Sequence, residues 1–438
     1  MGLALGSPFA FGQDIVPQNR LSNLTRHDID LELKLDEQRL VIRQKIHWKN
    51  PTKRTLTRMV FNAHARYVVP SEEVPAMAKT LELLRMRASE VLGVNSPQLE
   101  MAGVRDGAER LLKFRFGGST KTDLEVELIE PLLPGQTQCV ELAYSIRMEN
   151  KQGRWGHWKN VWFLAQGLVQ VAMIRDIPEP GEITSEKSVK VLPFPEVSTK
   201  CLPLEDGWDP APFYPWHQPF SNDSAHYRVR SVSPSHLEVA TSGHEESKRD
   251  LGDNRTERIF QAKGLRDFSW FASQRFHWFT DEAITVSGKR IPIRVAAFHE
   301  HSHYAKRMTQ IAKNAVETYS KWLGDYPWEQ FTLVESYFGW NGNECGALVM
   351  IDERVFDMPH LADGFVDYLV SHEVCHQWFY NLVGTDGVRE PFMDEGLATS
   401  LSHLVMDKVH GRDHRMLEYP VGLKWLPPIQ RDDYRRNL

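Results

Sequence analysis

His372, Glu373 and His376 lie in one five-residue run, His372-Glu373-Val374-Cys375-His376, and Glu395 follows after eighteen intervening residues. Two histidines four positions apart share one face of an α-helix with Cβ atoms about 6 Å apart, so both imidazoles can converge on one ion. Glu373, next to the first of them, is placed to face a water held there. Two imidazoles and one carboxylate are a donor set of catalytic zinc, with the fourth tetrahedral position left open. Glu395 is the candidate third ligand. The chemistry such a constellation supports is hydrolysis, with Glu373 as general base.

The same run could form an ordinary solvated helix face, and the flanking sequence argues against that. Phe365, Tyr368, Leu369, His372, Cys375, His376, Phe379, Leu382 and Val383 follow the i, i+3, i+4, i+7 spacing of a buried helical stripe, which turns both histidines inward. Gly384 is placed to end that helix, and Asp386, Gly387 and Pro391 break the pattern. Leu397, Leu401, Leu404 and Val405 then begin a second amphipathic helix. Glu395 sits at its start, where the helix dipole also favours a carboxylate.

The longer pattern resembles the gluzincin aminopeptidases, the family of aminopeptidase N and the leukotriene hydrolase. It runs from His372 through Gln377-Trp378-Phe379 to Asn381-Leu382-Val383 and then Asp394-Glu395-Gly396-Leu397-Ala398. That family also carries a Gly-x-Met-Glu-Asn element whose glutamate holds the substrate's free α-amino group. The corresponding segment here is Asn341-Gly342-Asn343-Glu344-Cys345. The glutamate is kept at Glu344, while Asn341, Asn343 and Cys345 replace the glycine, methionine and asparagine. The resemblance implies one zinc per chain, peptide substrates, and removal of N-terminal residues with Glu344 as amine anchor.

Composition is ordinary for a globular protein, with 41% hydrophobic and 25% charged residues. At 438 residues the chain is too long for one core and suggests two or three domains. A net charge of -6 with short, scattered basic patches argues against nucleic-acid partners. No apolar run approaches the roughly 20 residues of a membrane span. The cysteines at 139, 201, 345 and 375 make no CxxC pair, and Cys375 reads as a small packing residue. Residues 1–13 could be the remnant of a signal peptide, which would place the protein outside the cytoplasm, or a plain terminus of a cytoplasmic one. Oligomeric state is not legible.

The fold class expected is α+β with two domains, an N-terminal β-rich domain over 1–280 and an α/β zinc domain over 281–438. Alternation in Ile29 to Leu35, Leu40 to Trp48, Leu124 to Leu128 and Val140 to Ile146 reads as an antiparallel meander, with a turn at Pro134-Gly135. Leu81, Leu83, Leu84 and Val91 allow a helical excursion over Glu73 to Leu92. Trp155, Trp158 and Trp162 read as core. The polar stretch from Ser231 to Arg255 reads as hairpin ends or loops. His303 to Leu323 reads as a long helix and Phe331 to Ser336 as a strand. The family resemblance adds a saddle-like shape for the first domain and a thermolysin-like one for the second.

Relatives place an oxyanion-stabilising tyrosine in a Tyr-x-Lys-Gly element after the third ligand. This sequence contains no such element, and Tyr419 and Tyr434 are the only tyrosines after Glu395. A C-terminal helical domain is also missing, so the expectation is a fragment of a larger aminopeptidase-like protein. Two other readings stay open at this level, a zinc-binding scaffold without catalysis and a thermolysin-like endopeptidase.

Overall fold

The computed structural model describes residues 23–83, 86–92, 96–175, 204, 206–213, 221–339, 341–387 and 389–411. The expectations for residues 1–13, Cys201, Tyr419 and Tyr434 fall outside them.

The first domain is built on a seven-stranded sheet in the order His244–Gly252, Arg255–Leu265, Ala225–Pro234, Thr25–Lys34, Arg39–Lys49, Thr137–Arg147, Leu99–Asp106. Alternation drives it. In Thr25–Lys34 the buried residues are His27, Ile29, Leu31 and Leu33, so one face meets the core and the other solvent. Thr25–Lys34 pairs in parallel with Ala225–Pro234, a long-range contact that local alternation does not reveal.

Two expectations for this domain need correction. Asp123–Leu132 and Thr137–Arg147 do not form a hairpin, because the former joins a four-stranded sheet with Leu56–Asn62 and the latter pairs with Arg39–Lys49. The turn at Pro134-Gly135 therefore passes the chain between sheets. The stretch from Ser231 to Arg255 is mostly strand. It reads as loop because His244–Gly252 is an exposed edge whose charged side chains face water, the usual protection of an unpaired edge. The excursion after Glu73 holds helix α1 (Val74–Leu83) and a short 3-10 turn at Ala88–Glu90. Trp155 is buried in the core as expected, with Trp162 half-buried against it.

The second domain carries a five-stranded mixed sheet in the order Phe276–Ile284, Arg290–Phe298, Phe331–Ser336, Leu348–Asp352, Gly342–Cys345. Its first strand starts at Phe276, so a boundary at 280 falls inside that strand. Helix α2 (Ser302–Leu323) packs against this sheet, with Tyr304, Met308, Ala312 and Val316 buried along one stripe. A single-turn helix α3 (Glu353–Phe356) leads to α4 (Asp363–Cys375), and α5 (Glu395–His410) packs against α4. One apolar core runs through both domains, from Ile29 and Phe268 to Val374 and Val405. No helix among the described residues is long and apolar enough to cross a membrane.

The helix bearing the histidines stops earlier than expected. It ends at Cys375 with His376 as its cap, not at Gly384. Tyr380 adopts φ 108°, a conformation no α-helix tolerates. The amides of Asn381, Leu382 and Val383 reach back five residues to the carbonyls of His376, Gln377 and Trp378. The apolar spacing continues through this wide turn because the turn is buried too, so periodicity alone could not find the end.

Candidate active site

The last turn of α4 and the first residue of α5 bring the histidines and Glu395 together. His372 Nε2 lies 3.1 Å from His376 Nε2. Glu395 Oε2 lies 3.2 Å from the former and 3.8 Å from the latter. Ligands about 2.0–2.1 Å from a tetrahedral zinc sit roughly 3.3 Å from one another. These spacings therefore fit one ion, and the donor types fit zinc.

Asp394 fixes one imidazole. Its Oδ1 accepts a hydrogen bond from His376 Nδ1 at 2.6 Å, with both side chains buried. The proton is thereby kept on Nδ1, and Nε2 turns to the site. Burial works against a charged His376 ring, but the hydrogen bond and charge of Asp394 outweigh it and raise its pKa. Burial lowers the pKa of His372, against the hydrogen bond to Glu395.

The donor atoms of Glu344, Glu373 and His376 also gather within 4.8 Å of one another. Glu344 stands on the edge strand Gly342–Cys345, and Gln377 ties that strand to the end of α4. Its Nε2 donates to Cys345 O at 3.1 Å and its Oε1 accepts from Ala347 N at 2.8 Å. Glu373 lies over Gly342, where an added Cβ would come 2.3 Å from Glu373 Oε1. Burial pushes the Glu344 carboxyl up to about 7, with His376 pulling against it. Burial also holds Glu373 well above the usual carboxylate range, opposed by His376 and reinforced by Glu344. Glu373 Oε2 is buried and makes no hydrogen bond among the described residues. Two adjacent carboxylates with one imidazole suit zinc less well than two imidazoles with one carboxylate, so this trio fits proton transfer and cation binding better.

All five residues singled out from the sequence thus meet in one place. Sequence reasoning missed their supports. Gln166 donates to Glu344 O at 2.7 Å from 178 positions away, and Arg154 contacts Asn343 across 189. Nothing local marks either residue. Asp394 was recoverable, because a carboxylate adjoining the third ligand is a natural partner for a ligating histidine. Tyr380 is committed elsewhere, its hydroxyl donating to the buried Asp267 at 2.6 Å. Cys375 and Cys345 are buried, and neither forms a disulfide.

Residues 308–433 match the peptidase family M1 domain. Glutamyl aminopeptidase of Sus scrofa is 22% identical over 219 residues, which is 48% of this chain and 23% of that protein. Aminopeptidase 2 of Candida albicans is 28% identical over 129 residues, covering 27% of this chain and 14% of that protein. The matched stretches thus span less than a quarter of these relatives' lengths. The M1 zinc metallopeptidase of Deinococcus radiodurans shares the fold at a TM-score of 0.54 and 14% identity, over 89% of this chain and 72% of that one. The motif from His372 to Ala398 falls inside the stretch similar to the peptidase family M1 domain, and the fold of the chain is that of an M1 zinc metallopeptidase.

Proposed function

We propose that this chain is a zinc-dependent aminopeptidase whose second domain has the thermolysin-like arrangement. His372, His376 and Glu395 hold one zinc, Glu373 is the general base, and Glu344 binds the substrate's α-amine. The observation that carries the reading is the position of Glu344, a second carboxylate beside Glu373 and His376 that the metal does not need.

Bound zinc acidifies water and polarises the scissile carbonyl. Glu373 takes a proton from the attacking water at its otherwise unpartnered Oε2. The water oxygen forms the new bond to the carbonyl carbon. The carbon–nitrogen bond breaks, and Glu373 passes its proton to the departing amine. Glu344 accepts charge-assisted hydrogen bonds from the ammonium and so sets the first peptide bond over the reacting groups. Burial of the Glu373 carboxylate keeps competing water from the base and strengthens its contacts.

The test is mass spectrometry of one peptide in free-amino and N-acetylated forms. Stepwise loss of N-terminal residues from the free form alone is expected. Internal cleavage of both at similar rates would make the protein an endopeptidase and Glu344 incidental.

A further inference from the structure

We infer that Arg154, Asn343 and Gln166 form a cradle that holds the Glu344 carboxylate in its amine-binding position, making them positioning residues for substrate recognition. The inference rests on Glu344 being the amine anchor, and extends it to residues of both domains.

Arg154 is 7% exposed, and the same nitrogen, Nη1, donates to Gln166 Oε1 and to Asn343 Oδ1. A guanidinium has no acceptor, so both amides must turn their oxygens to it and their NH2 groups away. Both NH2 groups then reach Glu344. Asn343 Nδ2 donates to Glu344 Oε2 at 3.1 Å and to Glu344 O at 3.1 Å, and Gln166 Nε2 donates to Glu344 O at 2.7 Å. One arm holds the carboxylate and both hold its backbone.

The surrounding contacts make the cradle rigid. Gln166 Nε2 also lies 3.4 Å from Asp267 Oδ2, and Asp267 is fixed by Tyr380 Oη and by Gly346 N. Asn343 is 2% exposed, so its orientation is not averaged by solvent. The neighbouring strand residues alternate, with Asn343 and Cys345 buried and Glu344 half-exposed on the other side. A hydrogen-bonded neighbour that cannot rotate is what an edge-strand glutamate lacks otherwise. A hydrogen bond to a charged group is strong enough to decide between one carboxylate rotamer and several.

Calorimetric titration of the zinc-loaded protein with phenylalanine amide and with N-acetylphenylalanine amide tests this without requiring turnover. The parent should prefer the free amine. Asn343→Leu, close in volume, should weaken the free amine about tenfold while leaving the acetylated ligand and zinc stoichiometry unchanged. A merely structural role would weaken both ligands together, and that result, or an unchanged free-amine Kd, would overturn the cradle. If Asn343→Leu does not fold, Asn343→Ser is too short to reach Glu344 Oε2 and reads the same quantity. Glu344→Gln separates the two levels. If it keeps the parent's amine preference, or the parent has none, the amine anchor itself is wrong and the cradle falls with it.

Discussion

Asp394 occupies the N-cap of α5 yet makes no capping hydrogen bond, because its Oδ1 instead accepts from His376 Nδ1 at 2.6 Å. An N-cap aspartate ordinarily contributes about 1 kcal/mol to its helix. Here the carboxylate crosses to the preceding helix and orients an imidazole. Asp394→Ala should therefore lower zinc affinity by about 10- to 100-fold, the usual effect of removing such a partner. Competition with a chelator of known affinity measures it. Because Asp394 favours the charged ring of His376, zinc must displace that proton, so affinity should rise with pH through neutrality. Parent-like affinity in Asp394→Ala would show that His376 is held by other contacts.

Glu373→Gln separates metal binding from chemistry. The substitution preserves volume and touches none of the three proposed ligands, so metal analysis should still find one zinc per chain. Turnover of a free-amino peptide should fall at least about 10²-fold for want of a general base. His376→Ala, by contrast, leaves one imidazole and one carboxylate and should lose stoichiometric zinc on dialysis. Full zinc content in the histidine variant would refute the ligand assignment.

The parts legible in the sequence were those written locally. The four-residue spacing of His372 and His376, and the position of Glu395 at a helix start, follow from helix geometry alone. Glu344 was legible through its motif, and the structure supplies the reason for its placement in the Gln377 bonds to Cys345 and Ala347. What stayed hidden depends on tertiary pairing. The parallel contact of Thr25–Lys34 with Ala225–Pro234, and the reach of Arg154 to Asn343, join residues that no periodicity connects. The end of α4 was misplaced because burial persists through the Tyr380 turn, while apolar spacing reports burial and not backbone conformation.

Arg307 and Asp367, neither of them among the proposed catalytic residues, should be a stability determinant. Arg307 on α2 makes two hydrogen bonds of 2.6 Å to Asp367 on α4, whose side chain is fully buried, and His410 at the end of α5 lies 2.8 Å from it. One carboxylate thus joins three helices. Arg307→Met should cost about 3 kcal/mol by leaving a buried charge poorly paired. Replacing both residues, as Arg307→Met with Asp367→Leu, should recover much of that loss. Urea unfolding of the two variants decides it, and equal stability of single and double variants would show that the loss is one of packing.

A ring of four charges links the first domain to the loop between the proposed ligands. Arg175 contacts Asp209 at 2.6 Å and Asp386 at 2.8 Å, and Arg389 contacts Asp209 at 2.9 Å and Asp386 at 2.6 Å. Asp386 and Arg389 lie between His376 and Glu395, whereas Asp209 belongs to the short strand Trp208–Asp209 of the first domain. The ring is closed, so loss of one arginine leaves each aspartate one partner and a partial hold. Asp209 is 7% exposed while both arginines reach solvent, so the pairing should be worth more than an isolated surface bridge and still respond to salt. Arg389→Ala should therefore loosen the loop, raise the rate of zinc release several-fold, and reduce, without abolishing, the salt dependence of that rate, since Arg175 still joins Asp209 to Asp386. Stopped-flow transfer of zinc to a chromophoric chelator, across a range of sodium chloride concentrations, measures both effects. A release rate in Arg389→Ala equal to the parent's at every salt concentration would mean that Arg389 gives no help in placing Glu395.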